Sequence, residues 1–596
     1  MPSSTAPRPA DTPDRPQVPD GAGPGTRRVH LRFVGADAGT AALTWAQRQV
    51  WDWIRTDFGT GRHGHLNAVR VVALPERTRV PDVLSTVREL LVRHEALRTV
   101  FVLNAAGQPE QVVAAAGELA VDIVETGPDC AAGAAEDLRA GFLARGIDIL
   151  HELPLQVGVS VSGGYARFAV LVMSRMTVDN WGAGNLRRDF NRVLAAVRQG
   201  RDLPDPPDGR QPLAQARYEA SPAGTAVSAA GLRHWQEQLS TAAQLAVPFL
   251  DTGTGTGPER IQRVVLRSAA VSLALSVLTR RHRVQASAVV LAAVAASLGT
   301  YTGLDASTFM LHCGNRIRAE LRPVVGNLKQ HTLVTVDTAQ ASFGEIIERS
   351  ASALLHGYRY GQYDNLVLGS LVEDVRRARG VEVARSAGFN DLAFGTERRS
   401  GGEPPSPEQI RAALAETVVE RHPLPAVRSH ADFVFYLHEF GDRARFSAHV
   451  DTGRLPTPEE VFRGVERILV AAAIRDHELS DWVAALGVKP AARDGDWVFV
   501  DNSWIHLPTV RRLARDVLGD HPCEVFVLTG TPTQLGVFAA GRPLQPRGVA
   551  ATAGRRDRYR PLTILAVSRC HSRFVSSRLT AFMSSSRSFA IIRRAE

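Results

Sequence analysis

Apolar positions recur along the chain with two periods. A helix pattern begins from Leu43, with Trp45, Val50, Trp51 and Ile54 at helical spacing. Pro81 begins a second helix through Val83, Val87, Leu90 and Leu91, as proline favours a first helical turn. Short apolar runs at 29–34, 68–74, 99–103 and 110–113 predict strands. The runs 155–161 and 166–173 flank Ser162-Gly163-Gly164, a hairpin signal. Further helices are predicted over 181–197, 231–239, 286–298, 343–355 and 458–473, with strands at 307–312 and 332–337. The runs 433–439 and 444–451 read as a second hairpin around Gly441-Asp442. Strands and helices alternate twice over, which predicts an α/β protein of two subdomains, 29–205 and 206–480. The Pro/Asp-rich stretch 200–209 reads as the linker between them. From Trp497 a strand, strand, helix, strand pattern predicts a small α/β appendage over 490–550.

Composition narrows the class. The chain has 596 residues, 44% hydrophobic and 22% charged, as in ordinary globular proteins. Residues 1–28 are rich in Pro, Asp and Arg with no apolar core, so they read as a disordered leader and not a secretory signal. The longest apolar run, 286–298, is interrupted by Ser287 and Ser297 and is too short to span a bilayer. Four cysteines lie far apart with no CxxC, which argues against a disulfide framework or a cysteine zinc site. The expectation is a soluble cytoplasmic protein with no membrane partner and no metal.

Charge removes further classes. Lys329 and Lys489 are the only lysines, and neither sits in a phosphate-binding loop or a Schiff-base motif. The net charge of +9 is concentrated at the end, where 551–596 carries ten Arg against Asp557 and Glu596. The body is near neutral, so no basic face for nucleic acid is expected. The tail 551–596, basic and rich in Arg and Ser, has no helical or strand period and is not expected to form a fold element.

The string Arg93-His94-Glu95-Ala96-Leu97-Arg98-Thr99-Val100-Phe101 closes one helix and opens one strand. Read alone it is structural: basic groups complement a helix C-terminus, and Glu95 can pair with an arginine. It also resembles the second core motif of the condensation domains of nonribosomal peptide synthetases. Other matches follow in the family's order. Residues 43–51 resemble the opening motif, 107–113 the hairpin after the second, and His234-Trp235 through Leu239 the Tyr-Trp-x-x-x-Leu element. Gly314-Asn315-Arg316 through Glu320-Leu321 and Val325-Gly326 resemble the fifth motif, and 356–366 the region after it. The resemblance covers about 41–475. It implies two chloramphenicol-acetyltransferase-like subdomains in a V-shaped pseudo-dimer, with a tunnel between them. Peptidyl or acyl carrier proteins would deliver thioesters on phosphopantetheine arms, with no cofactor bound to the chain itself.

The family's third motif, His-His-x-x-x-Asp-Gly, aligns with the nine residues Ser174-Arg175-Met176-Thr177-Val178-Asp179-Asn180-Trp181-Gly182. Both histidines are replaced, by Ser174 and Arg175. A neutral imidazole accepts a proton near pH 7, whereas a guanidinium has no acceptor site and stays charged. Arg175 can still hold a carboxylate or phosphate, or stabilise an oxyanion. The resemblance implies that Asp179 pairs with Arg316 in a structural role, and that Asn180, Trp181 and His331 line the tunnel. His312, His356 and His438 are candidate substitute bases. His63 and His65 read as loop histidines, and 253–257 as a flexible glycine-rich link. The appendage faintly resembles the small C-terminal subdomain of adenylate-forming enzymes without its lysine. Three readings follow: a condensation homologue that binds or transfers carrier-tethered acyl groups, an inert carrier-docking or scaffold module, and an acyltransferase with another base and a soluble acceptor.

Overall fold

A computed structural model describes residues 25–539, except 36, 56–63, 243–260, 380–384, 394–402, 425–432, 456, 476–481, 501–502, 519–522 and 529–533. The predicted tail, most of the leader, His63 and the glycine-rich link lie outside the described residues. The chain divides into two units, one of residues 1–218 with 318–328, the other of 219–317 with 329–596.

The first unit contains β1 (Thr26–Val34), β2 (Gly39–Ala42), α1 (Trp45–Ile54), β3 (Ala68–Ala73), α2 (Val80–Arg93), β4 (Thr99–Leu103) and β5 (Pro109–Val113). These are followed by β6 (Ala116–Thr126), α3 (Ala131–Arg145), β7 (Leu155–Ser162), β8 (Tyr165–Met173), α4 (Asn180–Gln199) and, at its boundary, α5 (Pro212–Glu219). The main sheet runs β1-β6-β7-β8-β3, and β2-β5-β4 form a second one. β6 and β7 are parallel and the other main-sheet pairs antiparallel. Positive φ at Gly163 and Gly164 makes the tight β7–β8 turn.

All eight residues of β7 are buried, because helices cover both sheet faces. Val157 and Val159 pack with Val87 and Leu91 of α2 and Phe190 of α4. On the other face, a Cβ added at Gly158 would lie 3.0 Å from Leu138 and 3.1 Å from Phe142 of α3. The pattern reading missed β6 and α3; α3 is so rich in Ala and Gly that it lacks an apolar stripe.

Two boundaries differ from expectation. β1 starts at Thr26, inside the expected 1–28 leader, because its residues 26–28 pair with 122–124 of β6. Residues 206–218 and the segment 318–328 belong to the first unit. Glu95 accepts the Leu213 N–H at 3.3 Å, and the Asn185 amide donates to the Arg322 and Val324 carbonyls at 2.8 and 2.9 Å. These long-range hydrogen bonds outweigh the linker-like composition of 200–209.

The second unit begins with α6 (Pro222–Thr241), β9 (Ile261–Ser268), α7 (Ala269–His282), α8 (Ala286–Thr302), β10 (Ala306–Cys313), β11 (Gln330–Asp337), α9 (Phe343–Arg359) and α10 (Asn365–Arg379). It continues with β12 (Ala387–Asp391), α11 (Pro407–Ala413), β13 (Val418–Pro423), β14 (Phe433–Glu439), β15 (Ala444–Asp451), α12 (Pro458–Ile474) and α13 (Trp482–Leu486). Its sheet runs β11-β10-β12-β14-β15-β9-β13. Val264, Phe435, Phe446 and Ala448 share a core with α7, α8, α9 and α12. Nearly every residue of α8 is buried, which accounts for the apolar run at 286–298. Among the described residues no single helix is long and apolar enough to cross a membrane.

The appendage consists of a β16 (Trp497–Val500)–β17 (Ser503–His506) hairpin, α14 (Leu507–Leu518), and a β18 (Cys523–Leu528)–β19 (Gln534–Ala539) hairpin. Val500, Ile505, Val510, Ala514, Val525 and Leu535 form its small core. The Trp504 indole N–H donates to the Gly303 carbonyl at 3.1 Å, and the Arg493 guanidinium lies 4.6 Å over the Trp504 ring.

Candidate functional site

The third-motif segment leaves the end of β8, where Met173 is flanked by Leu155 of β7 and Ala68 of β3. Ser174 is buried, and its hydroxyl oxygen accepts the Met176 N–H at 3.3 Å. Its carbonyl accepts the N–H groups of Thr177 and Val178, both at 3.0 Å. The Ser174 hydroxyl therefore organises a turn. Met176 and Val178 drop into separate apolar clusters and pin that turn from both sides. Arg175, between Ser174 and Met176, is half-buried.

Asp179 is the N-cap of α4. Its Oδ1 accepts the Gly182 N–H at 2.7 Å, and its Oδ2 accepts the Leu328 N–H at 2.9 Å. Its own N–H donates to the Gly326 carbonyl at 3.3 Å. An added Cβ at Gly182 would lie 2.6 Å from the Gly326 oxygen, so α4 starts in direct backbone contact with the 318–328 segment. Arg316 belongs to the second unit, where its Nη1 donates to the Gly314 carbonyl at 2.9 Å. Asn180 is exposed and Trp181 half-buried at the start of α4.

A residue absent from the sequence-based site lies beside this loop. Arg70 of β3 donates to the Asn180 carbonyl at 2.7 Å and to the Val69 carbonyl at 2.7 Å. Burial lowers its pKa, and the guanidinium groups of Arg187 and Arg175 lower it further, while Asp179 opposes them. An arginine inside the apolar run 68–74 was the available signal. Behind the loop, a small pocket is lined by Thr44, Gln47, Thr177, Arg210, Gln215 and Asn327, among others.

The first two motifs serve the fold. Thr44 and Gln47 form a capping box on α1, and Gln47 donates to Gln111 at 3.0 Å. His94 lies 2.9 Å and Arg93 3.5 Å from the Asp189 carboxylate of α4. Arg98 donates to the carbonyls of Leu91, Asp37 and Ala114. Glu95 has its pKa raised by burial, against the lowering effect of the Leu213 N–H.

The other candidate histidines belong to the second unit. His331 is buried on β11 opposite His312 of β10, with ring centroids 4.3 Å apart. His356 is exposed on α9. His438 lies 2.7 Å from the Ser447 hydroxyl, and burial together with Arg445 and Arg263 lowers its pKa to about 4. Asp494, Asp496 and His506, not singled out from sequence, bring three ligand atoms within 4.8 Å of one another on the appendage surface.

Comparison with known proteins places this arrangement. Chondramide synthase cmdD of Chondromyces crocatus is 23% identical over 464 residues, 76% of this chain but only 11% of that relative. The chain thus spans about a tenth of that relative's length. The starter condensation domain of rhizomide synthetase RzmA, solved as a mutant with C8-CoA, superposes with a TM-score of 0.55 at 15% identity. That match covers 74% of this chain and 96% of the solved one. The X-domain from teicoplanin biosynthesis, solved in complex with OxyB, gives 0.54 at 18% identity over 76% and 96% of the two chains. The two structures agree with the α/β fold described above. The condensation-domain family model matches residues 37–386, and the chain belongs to the condensation-domain family.

Proposed function

We propose that this protein works in a nonribosomal peptide or related specialised-metabolite pathway of the bacterial cytoplasm, where it binds carrier-tethered acyl groups without histidine-assisted condensation. The observation that carries this reading is Arg175 at the end of β8, in place of the family's second motif histidine, beside an intact Asp179 cap. Attack of an amine on an acyl thioester requires the amine to lose a proton. Arg175 has no lone pair for it, and the Ser174 hydroxyl oxygen is engaged with the Met176 N–H. A guanidinium at that position supports holding an anionic group or a thioester carbonyl oxygen. The partners are peptidyl or acyl carrier proteins, which bring phosphopantetheine on their own arms.

A second reading is a docking module without turnover. The solved X-domain in complex with OxyB supports it, as does the replacement of both motif histidines. The test uses the full chain with an acyl-loaded carrier and an amine-loaded carrier. Carrier binding with no amide product, and product appearing with Arg175→His, supports the first reading. Carrier binding with no product from either protein supports the docking module. Amide formation by the unmodified protein at the rate of an ordinary condensation domain overturns the claim that the base is missing.

A further inference from the structure

We propose that Asp494, Asp496 and His506 form a binding site for a divalent first-row metal ion of the zinc class on the appendage. The site is separate from the third-motif loop and does not depend on the function proposed above.

The appendage's first hairpin brings the three side chains together. Asp494 and Asp496 lie just before β16, and His506 ends β17. Trp497 pairs with His506 across the two strands, and the Leu507 N–H donates to the Asp496 carbonyl at 2.9 Å. The Trp497 N–H donates to the Asp494 carbonyl at 3.3 Å, and Asp494 Oδ1 accepts the Asp496 N–H at 3.1 Å. This turn brings the first carboxylate back beside the second. One oxygen from each carboxylate and one ring nitrogen of His506 then lie within 4.8 Å of one another. Ligand atoms bound to one zinc ion stand about 3.3–3.6 Å apart in a tetrahedral shell. Both carboxylates are exposed, so side-chain rotation closes the difference without moving the backbone.

Charge and tautomer both favour a cation there. Two carboxylates this close repel, and among the described residues no arginine or lysine stands within salt-bridge distance of either. Arg493, the adjacent arginine, directs its guanidinium to the Ala491 and Thr302 carbonyls and to the Trp504 ring. The His506 Nδ1 lies 2.8 Å from the Thr509 hydroxyl oxygen. Donation of an Nδ1–H to that oxygen leaves the Nε2 lone pair for a metal, and such an outer partner orients a ligating imidazole. The Trp497 indole, 5.1 Å from the imidazole, restricts the ring further. The donor set decides the class. An imidazole nitrogen suits zinc and its first-row neighbours, whereas calcium takes about six to eight oxygen ligands and magnesium keeps an octahedral oxygen shell.

The test is calorimetric titration of the full, tag-free chain with Zn²⁺ after chelator treatment and dialysis, with Mg²⁺ and Ca²⁺ as controls. The expected result is a saturable zinc site, weakened about tenfold or more by Asp496→Asn and by His506→Gln. Magnesium and calcium should bind at least about tenfold more weakly than zinc. Asp496 is exposed and His506 half-buried, and thermal melts check that each variant is folded. No saturable binding, or binding that both variants leave unchanged, overturns the site. Weakening by Asp496→Asn alone overturns the imidazole ligand, and weakening by His506→Gln alone overturns the Asp496 ligand. Magnesium or calcium binding as tightly as zinc overturns the metal class. The readout is metal binding, so it stands or fails separately from carrier binding and acyl transfer.

Discussion

Asp179 Oδ2 accepts the backbone N–H of Leu328 at 2.9 Å, across 149 residues of chain. The other carboxylate oxygen caps α4, so one buried side chain fixes both the helix start and the segment beside it. A helix cap contributes about 1 kcal/mol, and leaving a second buried N–H without its acceptor costs about 1–3 kcal/mol more. Asp179→Ala is therefore expected to lower unfolding free energy by about 2–4 kcal/mol, with Asp179→Asn milder, in urea denaturation followed by circular dichroism.

Gly182 has no room for a methyl group. A Cβ there meets the Gly326 oxygen at 2.6 Å and the Gly326 nitrogen at 2.9 Å, both backbone atoms. Gly182→Ala is expected to destabilise by about 1–3 kcal/mol although alanine is the better helix former. An unchanged denaturation midpoint would show that α4 and the 326 region separate freely.

Ser174, which the sequence reading aligned with a motif histidine, has its hydroxyl oxygen used by the turn. Ser174→Ala should leave carrier binding, and any acyl transfer, within about twofold of the parent and cost about 1 kcal/mol of stability. A loss of transfer beyond tenfold, with the fold intact, would assign the hydroxyl to the chemistry.

His438 and His449 share a sheet face with Tyr436, Ser447 and Arg263, and both have pKa values lowered to about 4. Burial is the larger cause for each; Arg445 and Arg263 add to it at His438, where Glu439 opposes, and Arg263 adds to it at His449. Between pH 6.5 and 4 the unfolded chain binds protons that the folded chain refuses, so stability falls as pH falls through that window. His449→Gln should flatten this acid limb when unfolding is measured from pH 7 to 4. A limb as steep as the parent's would sink the assignment.

Much of the local structure follows from the sequence alone. Ser162-Gly163-Gly164 between apolar runs specifies the β7–β8 hairpin, because only glycine takes the positive φ of that turn without strain. Thr44 and Gln47 announce the start of α1 through a capping box that spans three residues. The ordered motifs likewise led to the condensation-domain family. These features are legible because their partners lie within a few residues, or because the chemistry is a property of the residue type.

Tertiary structure decided the rest. β6 buries Leu119, Val121 and Ile123 at a period of two that the pattern reading passed over, whereas α3 is an Ala-rich helix without an apolar stripe whose place is set by packing on the sheet. The segment 318–328 joins the first unit through hydrogen bonds that close loops of well over a hundred residues. Arg70 reaches the third-motif loop only because β3 pairs with β8. The pairing of strands distant in the chain depends on side chains packing on both faces of a sheet, and no local pattern encodes that choice.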